Sequence, residues 1–112
     1  PSVEHIMPRN LNATGWAISF PLGTDEGTKA KAIERRRTII HTLGNLTLVT
    51  SPFNSSLQDD NFGKKRAAYL DHIGIKLNTF FAKLKVGDPW TEASIEARGK
   101  ELFDCALQIW IR

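Results

Sequence analysis

One cysteine among 112 residues removes two classes of answer at once. Cys105 has no partner for an internal disulfide, and no multi-cysteine zinc site can form. No apolar run approaches a membrane span, and no secretory signal pattern opens the chain. Internal repeats and low-complexity tracts are missing too. The charge is only mildly one-sided: a net +3 with a pI near 9.3 permits a polyanionic partner without requiring one. What remains, at 41% hydrophobic and 24% charged residues, reads as a globular chain. Its length fits a single domain over 1–112 with an adequate core. The lone thiol fits a reducing, cytoplasmic compartment. Leu102, Cys105 and Ile109 fall on one helical face, which predicts a buried structural thiol.

Along the chain, Val3 to Ile6 alternates and is ended by Pro8, so an extended segment feeding a loop is expected. Residues 9–24 are irregular, with Trp16, Ile18 and Phe20 as alternating apolar anchors. Asp25 to Leu43 is helical in pattern, with a stripe through Ala30, Ile33, Arg37 and Ile40. Gly44 ends it as a left-handed cap would. Leu46 to Thr50 is β-branched and apolar, short enough for a strand. A second helix is expected from about Asp60 to Ile73, with Phe62, Ala67, Tyr69 and Leu70 inward. Gly74 interrupts it, and Leu77, Phe80, Phe81 and Leu84 suggest another helix. Thr91 can cap a last one, with Ile95, Leu102, Ala106 and Ile109 on one face. Trp16, Trp90 and Trp110 read as core. The sum is an α+β arrangement, two short strands embedded among helices. The opening at Pro1 predicts a C-terminal fragment of a longer protein.

The chemistry concentrates in Glu4-His5-Ile6-Met7-Pro8 and in Asn45 and Asn54, nine residues apart. Alone, Glu-His-x-x-Pro is a loose pattern, and a loop histidine is its bland reading. Hydrolysis of a phosphodiester requires an activated water and neutralisation of charge at phosphorus and at the leaving oxygen. Histidine suits the first task, since its ordinary pKa of about 6.5 lets it accept a proton near neutrality. A divalent ion suits the second as a Lewis acid, and Mg²⁺ is content with one carboxylate, one amide oxygen and several waters. Glu4, His5 and Asn54 supply one group for each task. Neighbours on a regular strand point to opposite faces, so Glu4 and His5 converge only if the chain bends at its end. His41 is a rival base candidate, but beside apolar Ile39 and Ile40 on a helix it is expected to pack. Arg35, Arg36, Lys64 and Lys65 are either solvated helix faces or phosphate contacts to a duplex.

Glu-His-x-x-Pro, then Asn45 and Asn54, resembles the HNH, or His-Me finger, endonuclease motif. The resemblance implies a ββα-metal core with His5 as general base and Glu4 and Asn54 as metal ligands. Asn45 would hold the loop and the histidine between the strands. More narrowly, His41-Thr42-Leu43-Gly44-Asn45-Leu46-Thr47-Leu48, Asn54-Ser55-Ser56-Leu57 and Phe62-Gly63-Lys64-Lys65 resemble the C-terminal nuclease domain of GmrSD-like restriction proteins. Trp90-Thr91-Glu92, Arg98 and Ile109-Trp110 are similar to the closing helix of that domain. This resemblance implies a DNA endonuclease restricting foreign or modified DNA, with one divalent metal, Mg²⁺ or Mn²⁺. It also implies a nucleotide-hydrolysing domain N-terminal to it in the full protein, and no membrane. The chain departs from the motif where many HNH enzymes carry zinc-binding cysteines: Thr50 and Phe53 stand there, so no structural zinc is expected. Leu57 stands where a lysine is common, and Glu4 where Asp is. A catalytically silent binding module and an RNA-cutting toxin domain are the alternatives.

Overall fold

The computed structural model describes residues 2–49, 57–71 and 76–110, the side chains of 76–79 and 109–110 excepted. Strand β1 (Ser2–His5) pairs antiparallel with β2 (Leu46–Val49), in a register that sets Glu4 opposite Thr47 and His5 opposite Leu46. Among the described residues there are three α-helices, α1 (Glu26–Ile39), α2 (Phe62–Asp71) and α3 (Glu92–Trp110). Tight 3₁₀ segments cover Leu43–Asn45 and Lys76–Lys83, the second where a further α-helix was expected. The class is α+β. Thr50, Phe53, Asn54, Ile73 and Gly74, and the side chains of Leu77, Ile109 and Trp110, lie outside the described residues.

Helix α1 starts at Asp25, whose carboxylate accepts from the Thr28 N–H at 2.6 Å and from the Thr28 hydroxyl at 3.0 Å. Its inward side is set by Arg36 and Ile39, not by Arg37, and Ala30 and Ile33 are exposed. Of the expected stripe only Ile40, just past the last turn, is buried. The Arg36 guanidinium is buried, donating to the Trp16 carbonyl and to Glu92 at 3.0 Å. In α2 the same substitution recurs: Phe62, Lys65 and Tyr69 face inward while Ala67 is exposed.

The core is aromatic. Phe62 stacks on Trp90 with centroids 5.3 Å apart, and Phe81 packs on Tyr69 at 4.7 Å and Trp90 at 5.6 Å. Trp16, Ile6, Met7, Ile40, Val49 and Ile95 close it. Helix α3 opens with a reciprocal cap, the Thr91 N–H donating to Ser94 Oγ at 3.0 Å and the Ser94 N–H to Thr91 Oγ1 at 3.4 Å. Its first half packs through Ile95 and Arg98. Its later turns stand clear of the body, leaving Phe103, Leu107 and Cys105 exposed. The buried thiol expected from sequence is therefore incorrect: the face carrying Cys105 has nothing described packed on it.

Gly44 does not have the positive φ of a left-handed cap; Gly15, Gly23 and Gly87 do. Glycine is needed there for proximity instead. A Cβ at Gly44 would lie 1.9 Å from the Ile95 carbonyl oxygen and 2.8 Å from the Gly99 nitrogen, both backbone atoms of α3. Gly44→Ala is thus expected to cost roughly 1–3 kcal/mol or more through overpacking. Gly99→Ala, whose Cβ meets Gly44 only at 3.6 Å, should be tolerated and favoured by helix propensity. Thermal melts of the two variants check this, and equal melting temperatures would reject the close-approach explanation.

Candidate active site

Strand β1 stays regular through His5, and its alternation separates the two residues of the Glu-His pair. Glu4 is 1% exposed, whereas Val3, at 54%, and the half-buried His5 face outward. His5 lines an open polar depression of about 420 Å³ with Val3, Glu4, Pro8, Arg9, Asn10, Gln58 and Asp59. Its imidazole meets that of His41 edge to face: Nε2 lies 3.3 Å from His41 Nδ1 and the ring planes stand at 87°. His41 is exposed rather than packed, because Ile39 and Ile40 turn inward and leave it on the rim. Partial burial holds the His5 pKa below its ordinary value, reinforced by the positive charge of Arg9 and by His41 and Lys65.

Behind the strand, Glu4 belongs to a buried network. Lys65 Nζ, wholly buried, donates to Glu4 Oε1 at 2.9 Å, to the carbonyls of His5 and Ile6 at 2.9 Å, and to the Gln58 carbonyl at 2.7 Å. The Tyr69 hydroxyl donates to Glu4 Oε2. Burial pushes the Glu4 carboxyl up and the Lys65 ammonium down, and each partner opposes the other's shift. The pair is ionised as built. Four oxygen acceptors surround Nζ, which suits an ammonium with three donors better than an amine, and both Glu4 oxygens face donors. Tyr69 is pushed well up by burial and by Glu4, so it stays a hydroxyl donor. Lys65 thereby grips the main chain on both sides of Ile6.

Asn45, 0% exposed, holds the other side of that turn. Its Oδ1 accepts from the Met7 N–H at 2.8 Å and from Trp90 Nε1 at 3.0 Å. Its Nδ2 donates to the carbonyls of Met7 and Ile40, both at 2.9 Å. All four hydrogen-bonding positions of the amide are used. The Ile6 N–H donates to the Asn45 carbonyl at 2.9 Å, extending the strand pairing one residue past His5. Arg98 in turn fixes the 3₁₀ turn, donating to the carbonyls of Gly44 at 2.9 Å and Leu46 at 2.7 Å; burial lowers its pKa to about 10.

The four basic residues singled out in the sequence divide in two. Arg36 and Lys65 are corrected: both are buried, and the Arg36 NH groups and the Lys65 ammonium bond within the fold, so neither faces a duplex. Arg35 is exposed and paired with Glu96 at 2.7 Å, and Lys64 is exposed near Asp60 at 3.8 Å. Arg9, unremarked in the sequence, lies on the same depression as His5.

The model of one family, described as the C-terminal domain of GmrSD restriction endonucleases, matches residues 1–105. The chain belongs to that family. No curated protein and no solved structure matches it. Membership in the GmrSD C-terminal family carries a nuclease role of the restriction type. No helix among the described residues is long and apolar enough to cross a membrane.

Of the two ligands that the HNH resemblance implies for a divalent ion, only Glu4 lies among the described residues. Glu4 presents one oxygen to an ammonium and the other to a hydroxyl, and its 1% exposure closes the remaining lone pairs. Asn54 lies outside the described residues, and among those described no three His, Cys, Asp or Glu side chains cluster. The contacts of His41 with His5, and of Lys65 and Tyr69 with Glu4, were not read from the sequence. For His41 a signal existed: it lies just ahead of the Asn45 turn, whose pairing with the end of β1 brings it back beside His5.

Proposed function

We propose that this domain hydrolyses phosphodiester bonds in DNA, as the cutting part of a system restricting foreign or modified DNA, with His5 as the general base. The observation that carries it is the half-buried His5 with a depressed pKa on an open polar depression, in a chain of a restriction-endonuclease family. The neutral imidazole takes a proton from water as the water oxygen bonds to phosphorus; the bridging P–O bond on the opposite side breaks, and its oxygen leaves with a proton drawn from solvent. Lys65 and Asn45 keep the His5 turn rigid from behind. The exposed Arg9 guanidinium offers positive charge to the phosphate on the same depression. Arg35 and Lys64 are proposed contacts to the duplex backbone; exposed ion pairs such as Arg35–Glu96 are weak enough for a phosphate to displace.

The test is conversion of supercoiled plasmid, unmodified and base-modified, to nicked or linear forms by the chain. Cutting should fall steeply with added salt. A folded chain that cuts neither plasmid but binds both would favour a silent binding module. EDTA and Mg²⁺ or Mn²⁺ arms read the metal requirement. A strict requirement would mean that the ion uses ligands other than the Glu4 carboxylate as arranged here, or that Lys65 yields it.

The pH dependence follows from the direction of the His5 shift. A depressed pKa keeps the base neutral to lower pH, so the acid limb of kcat/KM should lie below the ordinary 6.5. By linkage the same group adds stability above that value and loses it as pH falls through the folded pKa. Arg9→Gln removes one of the charges that depress it and should move the limb upward, whatever it does to the plateau. A limb above 6.5 in the parent chain would contradict the assignment.

A further inference from the structure

The His5–His41 pair has a consequence for which nitrogen does the work. Two neutral imidazoles whose nitrogens sit 3.3 Å apart share one proton between them, so one ring donates and the other accepts. Two arrangements are available. If His5 Nε2–H donates to His41 Nδ1, both rings are in the Nε2–H form, the ordinary tautomer of neutral histidine in water. If His41 Nδ1–H donates to His5 Nε2, both rings carry the less favoured Nδ1–H. His41 is exposed, so in the first arrangement its own Nε2–H reaches water and nothing is left unpaired.

We propose that His41 is a positioning residue: its Nδ1 accepts the Nε2–H of His5, fixing the tautomer in which His5 Nδ1 carries the free lone pair. This rests on the reading of His5 as the base. The bond selects one nitrogen for proton transfer and holds the ring against rotation, since the edge-to-face contact at a centroid distance of 5.3 Å allows the bond in one orientation of His5. The nitrogen that a hydrogen bond occupies determines the one left for chemistry. His41 touches neither water nor phosphate in the reaction; it acts through His5.

The experiment is ¹⁵N NMR of the histidine-labelled chain above pH 7, which reads the tautomer without requiring cleavage. The expected spectrum has His5 Nε2 protonated and Nδ1 bare. In His41→Phe the His5 tautomers should mix and kcat should fall roughly 10–100-fold, with KM unchanged. His41→Asn keeps an acceptor oxygen near the position of Nδ1 and should restore both the single tautomer and most of the rate. A proton on His5 Nδ1 in the parent chain, or an unchanged tautomer in His41→Phe, overturns the proposal. If the tautomer is as expected and depends on His41 but no DNA is cut, the positioning assignment stands and the nuclease reading fails.

Discussion

A His5→Ala chain should lose about 10²–10⁴-fold in cleavage rate, the range associated with a positioned general base, while folding as the parent does. The two halves of that expectation have separate physical grounds. His5 is half-buried on the outer face of β1, and its main-chain carbonyl, not its ring, is what Lys65 holds. Alanine preserves the strand pairing with Leu46 and the grip of Lys65, so the stability change should stay within about 1 kcal/mol, as for surface substitutions away from special contacts. The catalytic loss follows from removing the one imidazole, among the described residues, that is both partly desolvated and on the polar depression. His41 does not replace it. Circular dichroism and a thermal melt check the first half; a cleavage time course checks the second.

Lys65→Ala should act in the opposite way, damaging the fold first. Removing the ammonium leaves the Glu4 carboxylate buried with only the Tyr69 hydroxyl, and leaves the carbonyls of His5, Ile6 and Gln58 without that donor. Breaking one partner from a buried pair costs on the order of 3–5 kcal/mol, a large fraction of the stability of a small domain. A Glu4→Gln/Lys65→Met double variant removes both charges and should recover much of the loss, because the cost lies in the uncompensated charge. Added salt should weaken the native pair little, since it is out of reach of the ion atmosphere. Urea unfolding of the parent, the single variant and the double variant measures all three. A Lys65→Ala chain with the parent's midpoint would show that Glu4 has other means of neutralisation.

These contrasting expectations mark where the sequence was readable. The period-two alternation of β1 already implied that Glu4 and His5 part to opposite faces, and the strand keeps that rule through its last residue. The β-branched run after Asn45 and the Thr91 cap identified their elements because each signal is local. The glycine at 44 was noticed for the wrong reason: a sequence shows that a side chain is missing, not that the Ile95 carbonyl of α3 stands in its place. Arg36 and Lys65 were assigned to solvent because charge normally lies there. Their partners Glu92 and Glu4 are 56 and 61 residues away in the chain, beyond any local pattern. Both side chains occupy inward positions of their helices, which hydropathy alone assigns to apolar residues. Cys105 was given a buried face on periodicity alone, and periodicity cannot report whether anything lies opposite.

The consequence for the site is a division of labour. Lys65, Asn45 and Arg98 bond the main chain around the end of β1 and the 3₁₀ turn, and Glu4 and Tyr69 extend that buried network. On the proposed reading the chemistry is left to His5 and the depression it lines, with His41 beside it. Such bracing is how a reactive side chain on a short two-stranded ribbon can be held to a working geometry, since an isolated hairpin of this size has little stability of its own.

Cleavage of one plasmid preparation by the parent chain, by His5→Ala, and by His5→Ala supplemented with free imidazole tests the central claim most directly. The account predicts cutting by the parent, loss in the variant, and partial return as imidazole occupies the vacated space and takes the proton. Cutting by His5→Ala at the parent's rate would contradict it, and the active base would have to be sought elsewhere in the fold.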